Sequence, residues 1–339
     1  MMGKRNKTVF IGCGTGRCGT TSLAKLIGGC ENAVCTHERR PLLPWTFNEE
    51  LFQERVRWFS NSTASVIGDV AYYYLPYLER FIREFPDAKI ICLERDRQAV
   101  IDSYMWKTQW RNRWSNHNGT DWAKDQVWDA TYPKYNTTDK AKAIGLYWDH
   151  YRNWIRLLAK DYPANLRTFG MDLLNTKTGQ QTILDFVRMP ERYRRYREEL
   201  RYNARESASR PWTKEEGFRW MQWISLTAQD ITSLIPPEST IILVDQEQIR
   251  DYLPAQYHVI PFLEREGQYW GPPPDDATAI RELERLRRAG ARSIVFAWPA
   301  FWWLDYYTGL RQHLRSHFGC LVENDRLVLF DLDRKGRTV

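Results

Sequence analysis

The sequence predicts an α/β protein, a three-layer parallel sheet over the first two-thirds of the chain and a smaller C-terminal α/β domain after it. Three observations carry this. Short apolar, β-branched runs alternate with segments of helical periodicity, starting at residues 8–11 and clearest at 88–93 (AKIICL). A glycine-rich turn follows the first run directly and opens a helix. At Pro236-Pro237 the chain breaks, and a second, shorter alternation begins. With 339 residues, 43% of them hydrophobic, there is material for a sizeable core.

Taken in order, residues 8–11 form a buried strand and 20–27 a helix. Residues 33–35 and 64–67 are the second and third strands. Residues 75–85 have helical periodicity, 88–93 are the fourth strand, and 97–107 the helix after it. Residues 166–169 close the set as a fifth strand. Strands alternating with helices imply a parallel sheet covered on both faces, with ligands at the C-terminal strand tips. Residues 109–138 interrupt the pattern. They are polar, rich in tryptophan, and carry a turn signal at Asn118-Gly119, and long insertions of this kind are functional or disordered. Residues 140–160 read as one long helix. A basic stretch at 192–210 ends in Ser209-Arg210-Pro211, which bounds a first domain at 1–210. A linking helix is expected over 211–235, then a small α/β domain over 236–339. Within it, strands are expected at 240–244, 293–296 and 326–330, and helices at 277–289 and 301–317.

Lysine and arginine total 49 against 42 acidic residues, a net charge of +7. Such a surplus suits anionic ligands, or serves solubility alone. The 16 tryptophans either stack on sugars and bases or fill the core. The six cysteines have no C-x-x-C spacing, and no histidine pair completes a zinc pattern. This implies reduced thiols, a cytoplasmic protein and no metal. The opening MMGKRNKTVFIGCG has too short an apolar run for a signal peptide. No stretch approaches the roughly 20 apolar residues of a membrane span. Neither a membrane nor a nucleic acid is expected as partner, and the Asn-x-Thr sequons at Asn6, Asn61, Asn118 and Asn136 carry no meaning in such a compartment.

The strongest local signal is Gly12-Cys13-Gly14-Thr15-Gly16-Arg17-Cys18-Gly19-Thr20-Thr21-Ser22, between a strand and a helix. Glycines let successive N–H groups converge on one anion, and the helix start adds a positive dipole end. A triphosphate loop reads G-x-x-x-x-G-K-[ST]. Gly14 to Gly19 has that spacing, but Thr20 fills the lysine slot. The expectation is a P-loop-like nucleotide site for a ligand with fewer phosphates in a row, formed by Gly14, Thr15, Gly16, Arg17, Cys18, Gly19, Thr20, Thr21 and Ser22. The alternative is a glycine-rich turn with no ligand.

Arg17-x-Gly19-Thr20-Thr21 resembles the 5′-phosphosulfate loop of the bacterial-type PAPS-dependent sulfotransferases. The resemblance covers residues 7–205 or so and implies 3′-phosphoadenosine 5′-phosphosulfate (PAPS) as sulfuryl donor. That family holds the 3′-phosphate with an arginine at a strand tip and a serine eight residues on. Arg95 and Ser103 match, while a capping turn at Asp96 is the plainer explanation of the same residues. Asn203 and Arg205 carry over as further contacts to the 3′ end. Glu38 lies nineteen residues after Gly19, the offset of the catalytic glutamate in tyrosylprotein sulfotransferases. The resemblance makes Glu38 the base, with His37 as second choice. A solvated carboxylate pairing with Arg39 or Arg40 is the alternative.

Relatives also carry a lysine just after the third strand. Here Asp69 or Val70 takes its place, so Arg17 or Lys107 must hold the leaving-group charge. Trp106, Trp110 and Trp114 recur every four residues and share one face if the helix continues, with Lys107, Arg111 and Arg113 between them. Arg40, Trp106, Lys107 and Trp110 are therefore expected to receive a carbohydrate or anionic glycan acceptor, unless the rings only pack beneath the insertion. The C-terminal segment resembles a domain fused to bacterial glycosyltransferases and sulfotransferases. Its Asp275 and Asp276 read as helix caps. Against the sulfotransferase stand two other classes, a nucleotide-dependent phosphotransferase and a non-catalytic glycan-binding or scaffold protein on the same fold.

Overall fold

Thr8–Cys13 is buried along its whole length, and it becomes β1, the central strand of a five-stranded sheet. This computed structural model describes residues 7–198, 210–265 and 267–335. The chain divides into two units, residues 1–217 and 218–339.

In the first unit, β1 is joined by β2 (Ala33–His37), β3 (Val66–Val70), β4 (Lys89–Glu94) and β5 (Leu166–Gly170), in the order β2-β3-β1-β4-β5. Every pairing is parallel. Side chains alternate across the sheet, so β1 feeds two cores. Val9, Ile11 and Cys13 pack on one face against α2 (Glu49–Asn61), α3 (Leu78–Glu84), α4 (Arg97–Lys107) and α6 (Lys140–Asp161). Phe10 packs on the other against α1 (Thr20–Gly28) and α7 (Lys177–Phe186). A four-residue turn of helix, α5 (Gln126–Asp129), lies in the insertion. From β1 the chain leaves toward β2, and from β4 toward β5. The carboxyl ends of β1 and β4 thus flank a topological switch point, where such sheets bind ligands.

The strands fall where the alternation predicts, with their ends shifted. β3 runs to Val70, so Asp69 lies inside the sheet opposite Thr36 rather than beyond the strand. The expected helix at 75–85 is a 3₁₀ turn, Tyr72–Tyr77, followed by α3, because Pro76 cannot continue an α-helical ladder. α2 was not expected from the hydrophobic pattern. Its signals are an Asn48 side chain that accepts from the Leu51 N–H at 3.0 Å, two acids in the first turn, and Phe52, Val56 and Phe59 on one buried stripe.

α8 (Lys214–Leu234) spans the boundary between the units. The second unit holds a mixed sheet of order β11-β12-β10-β6-β7, with β6 (Thr240–Val244), β7 (His258–Pro261), β10 (Ser293–Ala297), β11 (Phe318–Glu323) and β12 (Leu327–Lys335). β6 pairs in parallel with β7 and β10, and β12 antiparallel with β10 and β11. A two-residue pair, β8 (Glu264–Arg265) and β9 (Gln268–Tyr269), stands apart. Asp275 caps α9 (Asp276–Arg288) through the Thr278 N–H at 2.7 Å, while Asp276 accepts from the Leu310 N–H at 2.8 Å. The single helix expected at 301–317 is two, α10 (Trp302–Tyr306) and α11 (Thr308–His317). They part at Tyr307, whose hydroxyl is tied to the Pro273 carbonyl at 2.6 Å. Among the described residues no helix is long and apolar enough to cross a membrane.

Candidate functional site

Between β1 and α1 the glycine-rich loop turns through left-handed conformations at Gly16 (φ 74°), Arg17 (φ 57°) and Gly19 (φ 95°). Glycine takes these without strain, whereas an arginine does not, so Arg17 is held there by its surroundings. Gly19 occupies the N-cap of α1 and supplies no side-chain cap, leaving the first-turn N–H groups of the helix to other acceptors. The Tyr104 hydroxyl donates to the Thr15 carbonyl at 2.7 Å and lies where a side chain on Gly16 would go. Thr15, Cys18 and Ser22 are buried. Burial pushes the Cys18 thiol up to about 11, so it packs rather than reacts.

Arg95, at the tip of β4, donates from Nη1 to the Arg17 carbonyl at 2.7 Å. Ser103, two turns into α4, accepts from Arg17 Nε at 3.0 Å. The two anion groups read from the sequence therefore meet at one place, with Arg17 touching both members of the second. Asp96 does cap α4, accepting from the Ala99 N–H at 2.8 Å, so the capping turn and the Arg95–Ser103 juxtaposition coexist. Asn203 and Arg205 lie outside the described residues.

His37 ends β2 and Glu38 follows it in a left-handed conformation (φ 54°). The His37 Nε2 lies 3.1 Å from the Thr20 hydroxyl and 3.9 Å from Glu38 Oε1. What holds this pair is Asp69. Its carboxylate, fully buried, accepts from the Thr36 hydroxyl at 2.7 Å and the Arg39 N–H at 3.2 Å, on either side of residues 37 and 38. It also accepts from the Tyr74 hydroxyl at 2.6 Å and pairs with Arg55 at 3.0 Å. Arg55, itself buried, donates onward to the Arg39 and Pro41 carbonyls at 2.6 and 3.0 Å. A buried charge needs this degree of satisfaction. Asp69 and Val70 thus do not lie just after the third strand, as read from the sequence. Asp69 and Val70 are inside the sheet, and Tyr72 is the residue beyond β3 that faces the site.

The loop and the end of β2 line a cavity of about 390 Å³ above the carboxyl ends of the sheet, and Arg95 and Ser103 are not among its lining residues. One side is Gly16, Arg17, Thr20, Thr21, His37 and Glu38. The other is built by Lys107, Trp110, Arg111 and Arg113 with Trp128, Tyr132 and Trp212. The Lys107 ammonium is pushed below its ordinary range by burial and then by Arg17 and Arg111. Arg210 also lines the cavity and pairs with Glu216 at 2.8 Å. Among the described residues no group of three or more His, Cys, Asp and Glu is placed to hold a metal ion.

No known protein family matches the chain, and none of the curated proteins matches it.

The shared tryptophan face does not form. α4 stops at Lys107, where the Thr108 hydroxyl bonds back to the Tyr104 carbonyl at 2.7 Å. Trp114 is then fully buried among Tyr104, Tyr132 and Tyr147. Trp106 is not among the residues lining the cavity, whereas Trp110 is, stacked on Trp212 with centroids 5.9 Å apart. Arg40 stands beside the cavity with its guanidinium 5.9 Å from the Trp128 ring. Tyr72, Tyr104, Trp128, Tyr132 and Trp212 also line the cavity and were not legible as lining residues. Trp128 and Tyr132 had only the aromatic density of the insertion to signal them, which marks core equally well, and Tyr72, Tyr104 and Trp212 lie outside it.

Proposed function

We propose that the first unit is a sulfotransferase that moves a sulfuryl group from PAPS to a hydroxyl acceptor on a carbohydrate. The observation that carries this reading is the contact of Arg17 with Arg95 and Ser103, while Arg17 also lines one cavity with His37 and Glu38. The residues present fit the donor. A P-loop-like turn with an open helix start and Arg17 would take the 5′-phosphosulfate, and Arg95 with Ser103 the 3′-phosphate. When bound, PAPS supplies an activated sulfuryl group.

The chain's own residues do the rest. Glu38 accepts the proton of the acceptor hydroxyl, with His37 beside it. Arg17 steadies the charge that develops on the 5′-phosphate oxygen, electrostatically and without giving up a proton, since guanidinium stays charged at any working pH. Lys107, lining the same cavity, is the second cation for that task. The half-buried indole of Trp128 offers a face to a sugar, whereas Trp110 is buried against Trp212 and Arg111. All six cysteines are free thiols, which suits a reducing, cytoplasmic setting.

The test is a thermal-shift titration with adenosine 3′,5′-bisphosphate, AMP and ATP. A ligand that binds the folded state raises Tm by mass action. The bisphosphate is expected to give a large rise and AMP little. Equal rises remove the 3′-phosphate site, and a larger rise with ATP favours a phosphotransferase, against which Thr20 in the lysine slot argues. Bisphosphate binding with no transfer to any acceptor leaves a non-catalytic protein on the same fold.

A further inference from the structure

Two carbonyls of the glycine-rich loop are gripped from outside it. The Tyr104 hydroxyl donates to the Thr15 carbonyl, and Arg95 Nη1 to the Arg17 carbonyl, each at 2.7 Å. In a trans peptide the N–H points opposite to the C=O. The two donors therefore set the direction of the Gly16 and Cys18 N–H groups. Those groups, with the N–H of Thr15, bear on the Cys18 sulfur, so the loop is curled about one point. Gly19 follows and starts α1 with no side-chain cap, so the curl of the loop decides where that open helix start lies.

Tyr104 is held in turn by the insertion. Its hydroxyl is 3.4 Å from that of Tyr132, a long contact, and both side chains are buried. Burial holds both phenols above their ordinary range, so each keeps its single proton. A carbonyl only accepts, so the Tyr104 proton goes to Thr15, and Tyr132 points its own at Tyr104. Trp114 meets both rings edge-on, with centroids 4.7 and 5.0 Å away. Tyr132 is pinned from the end of β3 as well. Tyr72 stacks on it at 4.4 Å, and the Tyr72 hydroxyl meets that of Thr131 at 2.5 Å. The Tyr104 hydroxyl thus has a fixed place and a fixed proton, and Tyr104 lines the cavity beside Gly16.

We infer that Tyr104 is a positioning residue for the donor loop, its hydroxyl holding the Thr15 carbonyl so that the open start of α1 takes a phosphate-bearing nucleotide. The inference rests on the sulfotransferase reading for the ligand. Phenylalanine at this position leaves a buried carbonyl without that donor, and the loop turns to find another.

The experiment uses the full chain with adenosine 3′,5′-bisphosphate as probe. Kd is taken by calorimetry, stability from urea midpoints, and loop opening from hydrogen exchange at residues 15–18. Tyr104→Phe is expected to bind the bisphosphate about 10-fold more weakly, the worth of one buried hydrogen bond, and to speed exchange at Gly16 and Cys18. Tyr77→Phe is the control. Tyr77 is fully buried, and its hydroxyl donates to the Pro44 carbonyl at 2.8 Å rather than to the loop. It should lose stability likewise, with Kd and loop exchange at wild-type values. Wild-type Kd and loop exchange in Tyr104→Phe overturn the inference. So does an equal loss of affinity in Tyr77→Phe, because the effect is then one of stability alone. Should Tyr104→Phe not fold, the wild type decides. Its Gly16 and Cys18 amides should exchange at least about 10-fold more slowly than those of an open loop, and exchange at the open-loop rate overturns the inference. Failure of the sulfotransferase reading looks different. The wild type then binds the bisphosphate no better than AMP, and the contrast in loop exchange between Tyr104→Phe and Tyr77→Phe still decides the role of Tyr104.

Discussion

Glutamine at position 38 keeps the shape of the side chain and removes its proton acceptor. Glu38→Gln is expected to slow sulfuryl transfer by about 10²–10⁴-fold, the usual worth of a positioned base, and to leave the bisphosphate-induced rise in Tm intact. Turnover near the wild-type rate would pass the role to His37, whose Nε2 is 3.9 Å away. Asp69 acts one step further back. Asp69→Asn leaves Arg55 as a buried cation short of its counter-charge, at a cost of about 3–5 kcal/mol in urea unfolding. Because Asp69 grips Thr36 and Arg39, kcat should fall in this variant while bisphosphate binding holds. Unchanged kcat would make Asp69 a stability residue only. The nearness of Glu38 and His37 to the glycine-rich loop was legible from their place at the end of the second strand. Asp69 was not, because a carboxylate inside a strand reads as the occupant of someone else's position until its partner, fourteen residues away on another element, is seen beside it.

The loop between β1 and α1 depends on backbone conformation more than on side chains. Gly16→Ala puts a methyl group at φ 74° and against the Tyr104 hydroxyl. It should cost on the order of 1–3 kcal/mol and weaken bisphosphate binding with it. Thermal shifts with and without the bisphosphate check both, and an unchanged ligand-induced rise would show the loop is not the anion site. At this scale the sequence was clear about glycine spacing and the strand before it. It was misleading about α4. Four-residue spacing of Trp106, Trp110 and Trp114 is a helical signal only while the helix lasts, and it ends at Lys107, where Thr108 leaves the helical conformation (φ −116°, ψ 42°). The same holds at 301–317, where Tyr307 leaves the helical conformation (φ −90°, ψ 73°) and its hydroxyl bonds the Pro273 carbonyl.

Charge is balanced over the whole molecule, not residue by residue, and around the insertion Arg113 and Lys140 are both buried. Lys140 ordinarily titrates at 10.5 and is brought down to about 7 by burial first and by Arg113 and Arg111 next. Between those values the unfolded chain holds a proton that the folded chain has released, so unfolding takes up protons and stability rises with pH. Stability should therefore climb from about pH 7 toward pH 10, with Lys107 and Lys134, also lowered by burial first, adding to the slope. Lys140→Met should flatten the climb, as read from urea midpoints across that range. A wild-type profile that is flat there would mean that Lys140 keeps its ordinary titration in the fold.

By itself the sequence determined the layered α/β architecture and the glycine-rich turn between the first strand and its helix. These follow from local period and backbone freedom, which neighbouring residues set among themselves. Only the tertiary structure decided that Arg17 touches Ser103, that Asp69 and Arg55 clasp the strand end bearing His37 and Glu38, and that Trp114 is core while Trp110 and Trp128 face the cavity. Those outcomes depend on burial and on partners far apart in the chain, and the free energy of a buried charge or ring is fixed by what surrounds it in space.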